Sequence, residues 1–559
     1  MRTYKARLIL FIILIITFFI VFFARCYYLF VEQKAFLQNQ GDIRAIRVEN
    51  IPNIRGSILD RNGKFIAVST VVYDVWINPY KILKEKINKD NLKKELEALN
   101  ITSEKEFDEI FTEKEDKQYV YLKRNISPNT ADKLKSLNLP FVFLDSKTKR
   151  YYPSSEVIAP LIGKTDIDDN GIEGIELFFN ESLKGKEGKQ TVLKDRLGRT
   201  IKVIDLIQEP KLGKDLVLTI DVRLQYLAYK ELAEAIEYHK AQSGAAVILD
   251  VTNGDILAMV NYPSFNPNGI TDINFNAIRN RAITDVFEPG SVFKPFSMAM
   301  AMDHKKINKD DLIDTSPGFF KVKHKVIKDI RNYGEIKVKD VLIKSSNVGI
   351  SKIISDIQPE KFMNFLYNLG FTYKSQYDLQ GETPGWLNHF LDSDMFSYYT
   401  LAFGYGVAVN ALQLTRAYSS IGNQGYLPDI NIIKKNKDEQ IEYKNKVMSH
   451  ETADQILEIL HETTGKTGTA KRASISFAEV AGKTGTTRRI VSGVGYDSNS
   501  HNAIFAGLAP YPNPKLAMVV FIADPKKNGY YGGLVAAPVF SKVMDSAVRI
   551  LSLEQQAEG

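Results

Sequence analysis

The chain has 559 residues, 44% hydrophobic and 25% charged, with 73 Lys and Arg against 66 Asp and Glu. That length predicts about two to four domains, and the composition excludes a disordered or fibrous chain. The net charge of +7 is mild and scattered, which gives no argument for nucleic-acid binding, and a single cysteine, Cys26, excludes an intrachain disulfide and a cysteine-based metal site.

The N-terminal "MRTYKAR" carries three cations and no acid, and "LILFIILIITFFIVFFA" then runs uncharged from Leu8 to Ala24. As a helix those residues rise about 25 Å, somewhat short of a hydrocarbon core of roughly 30 Å. Arg25 can snorkel, and Cys26 to Phe30 extend the span, with Tyr27 and Tyr28 suited to the headgroup belt. The reading is a cytoplasmic tail over 1–7 and an uncleaved anchor over 8–30, N-terminus inside. "FFARCYYLF" is too bulky for signal cleavage. Residues 31–54 are expected to be a juxtamembrane linker.

"IPNIRGSILDRNGKFIAVS" predicts two short strands about an Asn62-Gly63 turn. From about 80 to 145 the chain alternates Lys, Glu, Asn and Leu at helical spacing, a solvated amphipathic pattern. The Gly- and charge-rich stretch from Asp168 predicts hairpins around a short helix. Together 55–210 reads as an irregular mixed domain without a catalytic cluster.

The second domain, 211–552, opens with a strand and an amphipathic helix bearing Leu224, Leu227, Leu232 and Ile236. "SGAAVILDVTNGDILAMVNYP" is a hairpin, and "FAEVAGKTG" with "NAIFAGLAP…KLAMVVFIADP" supplies three late strands. More than 200 residues of mostly helical pattern lie between. A sheet built from both ends of a domain around a helical block is an α+β layout. Residues 553–559 are expected to be a tail.

Three short motifs carry possible chemistry. In "TDVFEPGSVFKPF", Pro289-Gly290 breaks the chain before Ser291, and Lys294 follows at i+3, on the same helical face. A lysine that acts as a base near pH 7 needs its pKa lowered by about 3, at a cost of about 4 kcal/mol, which burial and neighbouring cations can supply. Alone, the spacing equally fits a helix cap followed by a surface lysine. "KSSNVGI" offers Ser345 and Asn347. Lys-Thr-Gly occurs at Lys466, in a loop after a helix-like run, and at Lys483, after "SISFAEVA". A substrate-lining strand needs sheet neighbours, so Lys483, Thr484 and Gly485 are taken as the site. Gly-Lys-Thr at Gly163, Gly465 and Gly482 lacks the upstream glycine of a phosphate loop, since Ile158, Leu460 and Phe477 stand there. No G-x-S-x-G elbow or H-E-x-x-H helix occurs either.

Ser-x-x-Lys, Ser-x-Asn and Lys-Thr-Gly in that order, with "NRAITDVFEPGSVFKPF", "IKSSNVGISK", "FGYGVAVNALQLTRAYSSIGNQG" and "AGKTGTTRR", resemble the class B penicillin-binding proteins, most closely the septal peptidoglycan D,D-transpeptidases of FtsI (penicillin-binding protein 3) type. "RGSILDRNG", "RYYP" and "GIEGIE" resemble that family's N-terminal pedestal, the dimerisation-type module. The resemblance implies a serine β-lactamase-like catalytic domain with an antiparallel sheet, and no metal or cofactor. It implies that Ser291 is acylated by a D-Ala-D-Ala stem peptide, that Lys294 takes its proton, and that Ser345 relays a proton to the departing amine. Asn347 would hold the substrate amide and Lys294. Lys483, with the Thr484 and Thr486 hydroxyls, would bind the terminal carboxylate, and the Ser291 and Thr486 N–H groups would form the oxyanion hole. An amine from a second stem peptide would resolve the acyl-enzyme, β-lactams would trap it, and an FtsW-type glycosyltransferase and other division proteins would be partners at the septal inner membrane. Rival readings are an elongation-type transpeptidase, a carboxypeptidase or β-lactamase-like hydrolase, and a division scaffold with a vestigial site. The duplicated Lys-Thr-Gly at Lys466 departs from the family pattern.

Overall fold

Uncharged residues with long apolar side chains leave nothing to interrupt a helix after Arg7, and Arg2–Tyr27 forms one in the computed structural model. The structure describes all residues except 1, 52, 196–199, 270–274, 306, 378, 389–393, 436–444, 492–494 and 559. The span Tyr4–Glu32 has a mean hydropathy of 3.0 and buries none of its apolar surface inside the protein, as a membrane-crossing helix requires. The expected linker is more regular than its sequence suggested. Lys34–Ala45 is helical and Ile46–Ile51 is a strand paired with Gly188–Lys194, because Lys, Ala, Leu and Gln favour helix until Ile46 starts a strand with a distant partner.

Two compact units divide the chain. One takes 1–55, 70–149 and 184–213, the other 56–69, 150–183 and 214–559. This cuts across the expected 55–210 domain, because the turn hairpin (Ile58↔Ala67, Leu59↔Phe65) pairs in parallel with Leu216 and Val217. Ile58, Ile66, Ile162 and Ile175 also join the catalytic core. The first unit holds helices Lys89–Ala98, Glu104–Glu113 and Pro128–Ser136 over strand Val120–Ile126. Leu92, Leu96, Phe107 and Ile110 form their apolar stripes, as the spacing of 80–145 predicts, but that spacing did not reveal the strands.

The second unit contains a five-stranded antiparallel sheet. Its strands are β1 (Ser243–Asp250), β2 (Ile256–Tyr262), β3 (Glu479–Val491), β4 (Gly495–Tyr511) and β5 (Leu516–Ala523), in the order β2-β1-β5-β4-β3. Strand period sends Ala246 and Ile248 to one face and Ala245, Val247 and Leu249 to the other. The first face is covered by α1 (Val222–His239) and α7 (Ala537–Glu558). The helical block between β2 and β3 covers the other: α2 (Lys294–Lys305), α3 (Val338–Ile343), α4 (Asn347–Ile354), α5 (Ala411–Gly422) and α6 (His450–Thr464). α7 continues to Glu558, through residues expected to form a tail.

Arg150 and Glu176, from "RYYP" and "GIEGIE", make a buried ion pair at 2.7 Å, with side chains 1% and 0% exposed. Arg150 also donates to Gly56 O (2.8 Å) and Ser69 Oγ (3.1 Å), tying the hairpin to 150–183. Removing one partner of such a pair strands a charge, at about 3–5 kcal/mol, whereas replacing both by apolar groups can be neutral. Glu176→Ala is therefore expected to lower the urea midpoint strongly and Arg150→Met/Glu176→Leu much less. Equal losses in the two variants would show that the charges themselves are needed.

Candidate active site

Ser291 stands in a one-turn 3-10 helix, Gly290–Phe293, that runs directly into α2, so Ser291 and Lys294 share a face although the serine is not itself in the α-helix. The turn is held from two sides, by the Gly404 segment and by α5. Gly290 has φ +59° and its N–H donates to Gly404 O at 3.1 Å. Gly404, at φ +84°, lies so close that a Cβ there would collide with the Gly290 backbone. From α5, the fully buried Tyr418 donates its hydroxyl to Val292 O at 2.7 Å.

Ser345 comes from a helix end. The N–H of Ser346 bonds Val341 O (2.9 Å) and that of Ser345 bonds Leu342 O (3.2 Å), which is the Schellman pattern closing α3. Its left-handed position normally takes glycine, but here Ser345 occupies it at φ +59°. The conformation directs both its carbonyl and its hydroxyl at Lys294. Ser346 then caps α4, accepting from Gly349 N at 2.8 Å.

Lys483, Thr484, Gly485 and Thr486 lie on β3, the sheet's edge strand, opposite Ala506, Phe505, Ile504 and Ala503. Lys483 and Gly485 face the Ser291 turn. A Cβ on Gly485 would stand 2.8 Å from Pro289 O, which explains the glycine. Strand alternation puts Thr484 and Thr486 on the other face. Thr486 Oγ1 accepts from Gly532 N at 3.0 Å there, so the Thr486 hydroxyl does not share a face with Lys483. Lys466 is exposed at a turn after α6.

A hydrogen-bonded set joins the three motifs. Ser345 Oγ lies 3.0 Å from Ser291 Oγ, and Lys294 Nζ donates to Ser345 O at 2.6 Å and Oγ at 3.1 Å. Lys483 Nζ donates to the same Oγ at 3.2 Å and to Thr484 O at 3.3 Å. Among the described residues, Lys294 bonds Ser345 and not Ser291, so the direct contact expected from the i+3 spacing is replaced by a bridge through Ser345. Both lysines are 0% exposed. Burial, and then the charge of Lys483, hold the Lys294 pKa well below its ordinary value, while Asp329 pulls it up. Burial lowers Lys483 to about 7.

Asn347, half-buried at the start of α4, donates Nδ2 to Lys328 O at 3.3 Å; no bond to Lys294 is present. Asp329 was not found from the sequence. Its Oδ1 accepts the N–H groups of Asn347 (2.5 Å) and Val348 (3.1 Å), and its Oδ2 accepts the Ser346 hydroxyl. It therefore fixes the Ser345–Asn347 loop, and nothing local marks a residue so far upstream. Glu288 was also missed. It is buried, accepts from Gly406 N (2.9 Å) and the Tyr496 hydroxyl (2.9 and 3.0 Å), and is pushed above the usual carboxylate range by burial.

Known proteins resemble the chain over most of its length. The penicillin binding protein transpeptidase domain matches residues 244–545 and the penicillin-binding protein dimerisation domain matches 50–218. The probable peptidoglycan D,D-transpeptidase PbpC of Pseudomonas aeruginosa is 36% identical over 529 residues, 95% of this chain and 92% of that protein. The peptidoglycan D,D-transpeptidase FtsI of Escherichia coli is 35% identical over 524 residues, 93% and 88% of the two chains. Among solved structures, the transpeptidase domain of Burkholderia pseudomallei penicillin-binding protein 3 is 34% identical with TM-score 0.54, covering 60% of this chain and 96% of that one. A peptidoglycan synthetase from Bifidobacterium adolescentis has TM-score 0.68 over 91% of this chain and 97% of that one at 24% identity, a likeness of fold.

Proposed function

The chain belongs to the class B penicillin-binding proteins of FtsI type, and from that premise we propose how its own residues carry out peptidoglycan D,D-transpeptidation in septal wall synthesis. The observation that carries the reading is the shared Ser345 hydroxyl, bonded to Ser291, Lys294 and Lys483 at once.

Ser291 Oγ attacks the penultimate D-Ala carbonyl of the donor stem peptide. Its proton passes through the Ser345 hydroxyl to neutral Lys294. Oxyanion charge falls at the start of the turn, where the Ser291 N–H points outward from the helix, with the Thr486 N–H as second donor; losing one such donor costs about 3–4 kcal/mol. Collapse breaks the C–N bond, and the proton held by Lys294 returns through Ser345 to the leaving D-Ala amine. Lys483 binds the donor carboxylate, without the Thr484 and Thr486 hydroxyls on the other face of β3, and Asn347 holds the substrate amide. The amine of a second stem peptide then attacks the ester and closes the crosslink. A β-lactam presents the same carbonyl but retains its leaving group, so it leaves Ser291 acylated.

The apolar helix makes the protein membrane-anchored. The cations ahead of it favour an inside N-terminus, which places the catalytic unit on the wall side. A polytopic glycosyltransferase of FtsW type fits as the partner within the membrane, since it makes the strands that this site crosslinks.

Membranes bearing the native chain are expected to label covalently with fluorescent penicillin. Ser291→Ala should abolish labelling, and Lys466→Ala should retain it. A folded native chain that never labels would leave only a scaffold, and label that decays within minutes would favour a hydrolase. The pH dependence is signed as well. The second-order rate of labelling should rise with pH as Lys294 loses its proton and fall through about 7 as Lys483 loses the charge that binds the carboxylate. Lys483→Ala removes a neighbouring cation and should move the rising limb to higher pH. Asp329→Asn removes the carboxylate that favours the ammonium and should move it lower. A rising limb that stays in place in both variants would refute the electrostatic account.

A further inference from the structure

In the chain between Ser291 and the Ser345–Asn347 loop lies a small hairpin, Phe319–Val322 paired with Lys325–Lys328. Strand period gives it two faces. Phe320, Val322 and Ile327 face inward, where Phe320 meets Tyr399 at 5.2 Å and Lys325 lies 4.8 Å over the Phe396 ring. The other face turns to solvent. On it Phe319 stands opposite Lys328 and Lys321 opposite Val326, and all four are exposed. The charge is one-sided. Residues 319–331 hold five Lys and Arg and one acid, Asp329. The Asp329 carboxylate is already taken by the Asn347 and Val348 N–H groups and the Ser346 hydroxyl. Asp394 lies near Lys323 and Lys325. Among the described residues Lys321 and Lys328 have no carboxylate partner.

Two cations alternating with Phe319 and Val326 make a surface of mixed chemistry. A bare phosphate would use the cations alone, whereas a peptide with carboxylates and short aliphatic side chains uses both. The hairpin's place in the fold identifies the source. Lys328 O accepts from Asn347 Nδ2 at 3.3 Å, so the second strand runs directly into the loop that holds the substrate amide. A glycan strand carries a stem peptide on each repeat, with a terminal carboxylate and alanine methyl groups. The donor's own carboxylate belongs at Lys483, which leaves those of its neighbours. Weak contacts repeated along one strand add up, because the first holds the next at high effective concentration. We propose that the outward face of this hairpin binds the stem peptides flanking the donor on the same glycan strand. Lys321 and Lys328 take their carboxylates, and Phe319 and Val326 take their methyl groups. The proposal rests on the transpeptidase reading above and names a strand-binding surface beside that site.

The test uses the full chain in detergent, labelled at Ser291 with fluorescent penicillin, so that only folded chains are followed and the donor site is closed. Fluorescence anisotropy then reads binding to soluble uncrosslinked glycan strands, either bearing stem peptides or stripped of them by an amidase. The native chain should prefer the peptide-bearing strands. In Lys321→Gln/Lys328→Gln that preference should fall about tenfold, the worth of two exposed ion pairs, and its salt dependence should weaken. Phe319→Ser should lower the affinity and keep the salt dependence. Lys471→Gln/Arg472→Gln removes two exposed cations elsewhere in the catalytic unit and should leave binding unchanged. Equal binding of both kinds of strand by the native chain overturns the proposal. So does native-like binding by Lys321→Gln/Lys328→Gln, or an equal loss in Lys471→Gln/Arg472→Gln. A native chain that never labels refutes the transpeptidase reading and this proposal together. One that labels and ignores the strands refutes this proposal alone, and turns the hairpin over to an acidic protein partner.

Discussion

Two buried lysine side chains converge on one serine hydroxyl, and most of the catalytic unit can be understood as what that convergence requires. Lys294 and Lys483 are both 0% exposed, and both donate to Ser345 Oγ. Holding Lys483 at about 7 rather than 10.5 costs on the order of 5 kcal/mol, a large fraction of a typical domain's stability of about 5–15 kcal/mol. A site that stores so much unfavourable electrostatics has to be held by neighbours that do not yield. The apolar packing behind α2, where Phe293 and Phe296 meet Phe371 and Tyr418, provides that support. The charge of Lys483 also helps keep Lys294 neutral, so Lys483 cannot be replaced without changing the proton on Lys294.

The elements around them bear local strain in consequence. Ser345 accepts a left-handed conformation, which for a residue with a Cβ costs about 1–2 kcal/mol, because a glycine at the end of α3 would carry no hydroxyl. Gly290, Gly404 and Gly485 make the opposite choice, giving up side chains so that the Ser291 turn can sit against β3 and the 404–406 loop. Asp329 closes the arrangement by gathering two backbone N–H groups and one hydroxyl at the start of α4.

How much of this was legible in the sequence follows from the range of each interaction. Ser291 with Lys294 is a spacing within one turn, so helical periodicity places that pair, whereas Ser345 and Asn347 were found as a short motif and by resemblance. The choice of Lys483 over Lys466 rested on strand context, and β3 has that context while Lys466 lies in an exposed turn. What periodicity could not supply was direction across the fold. It led to a Lys294–Ser291 contact where the structure has Ser345 between them, and the resemblance grouped the Thr484 and Thr486 hydroxyls with Lys483 although strand alternation separates them. Asp329, Tyr418 and Glu288 act through contacts between residues far apart in sequence, and such partners leave no local pattern. The compact units depart from the boundary at 210, which the matched family domains follow, for the same reason: Ile58 and Ile175 pack with the catalytic core although they lie far from it in sequence.

The bridging position of Ser345 also makes one hydroxyl serve both halves of the reaction. Its oxygen faces the Nζ atoms of Lys294 and Lys483, and it has a single proton to give, which the geometry directs to Ser291. If Lys294 is neutral, its lone pair can take the Ser345 proton as Ser345 takes that of Ser291, and the same two transfers run backwards to the leaving amine. If Lys294 is charged, it has no lone pair to take the Ser345 proton and can only donate to Ser345. In the proposed reaction, the protonation state of a lysine that does not bond the nucleophile therefore decides whether the nucleophile can act. That dependence is why burial, the second lysine and Asp329 are all arranged around Lys294 and not around Ser291.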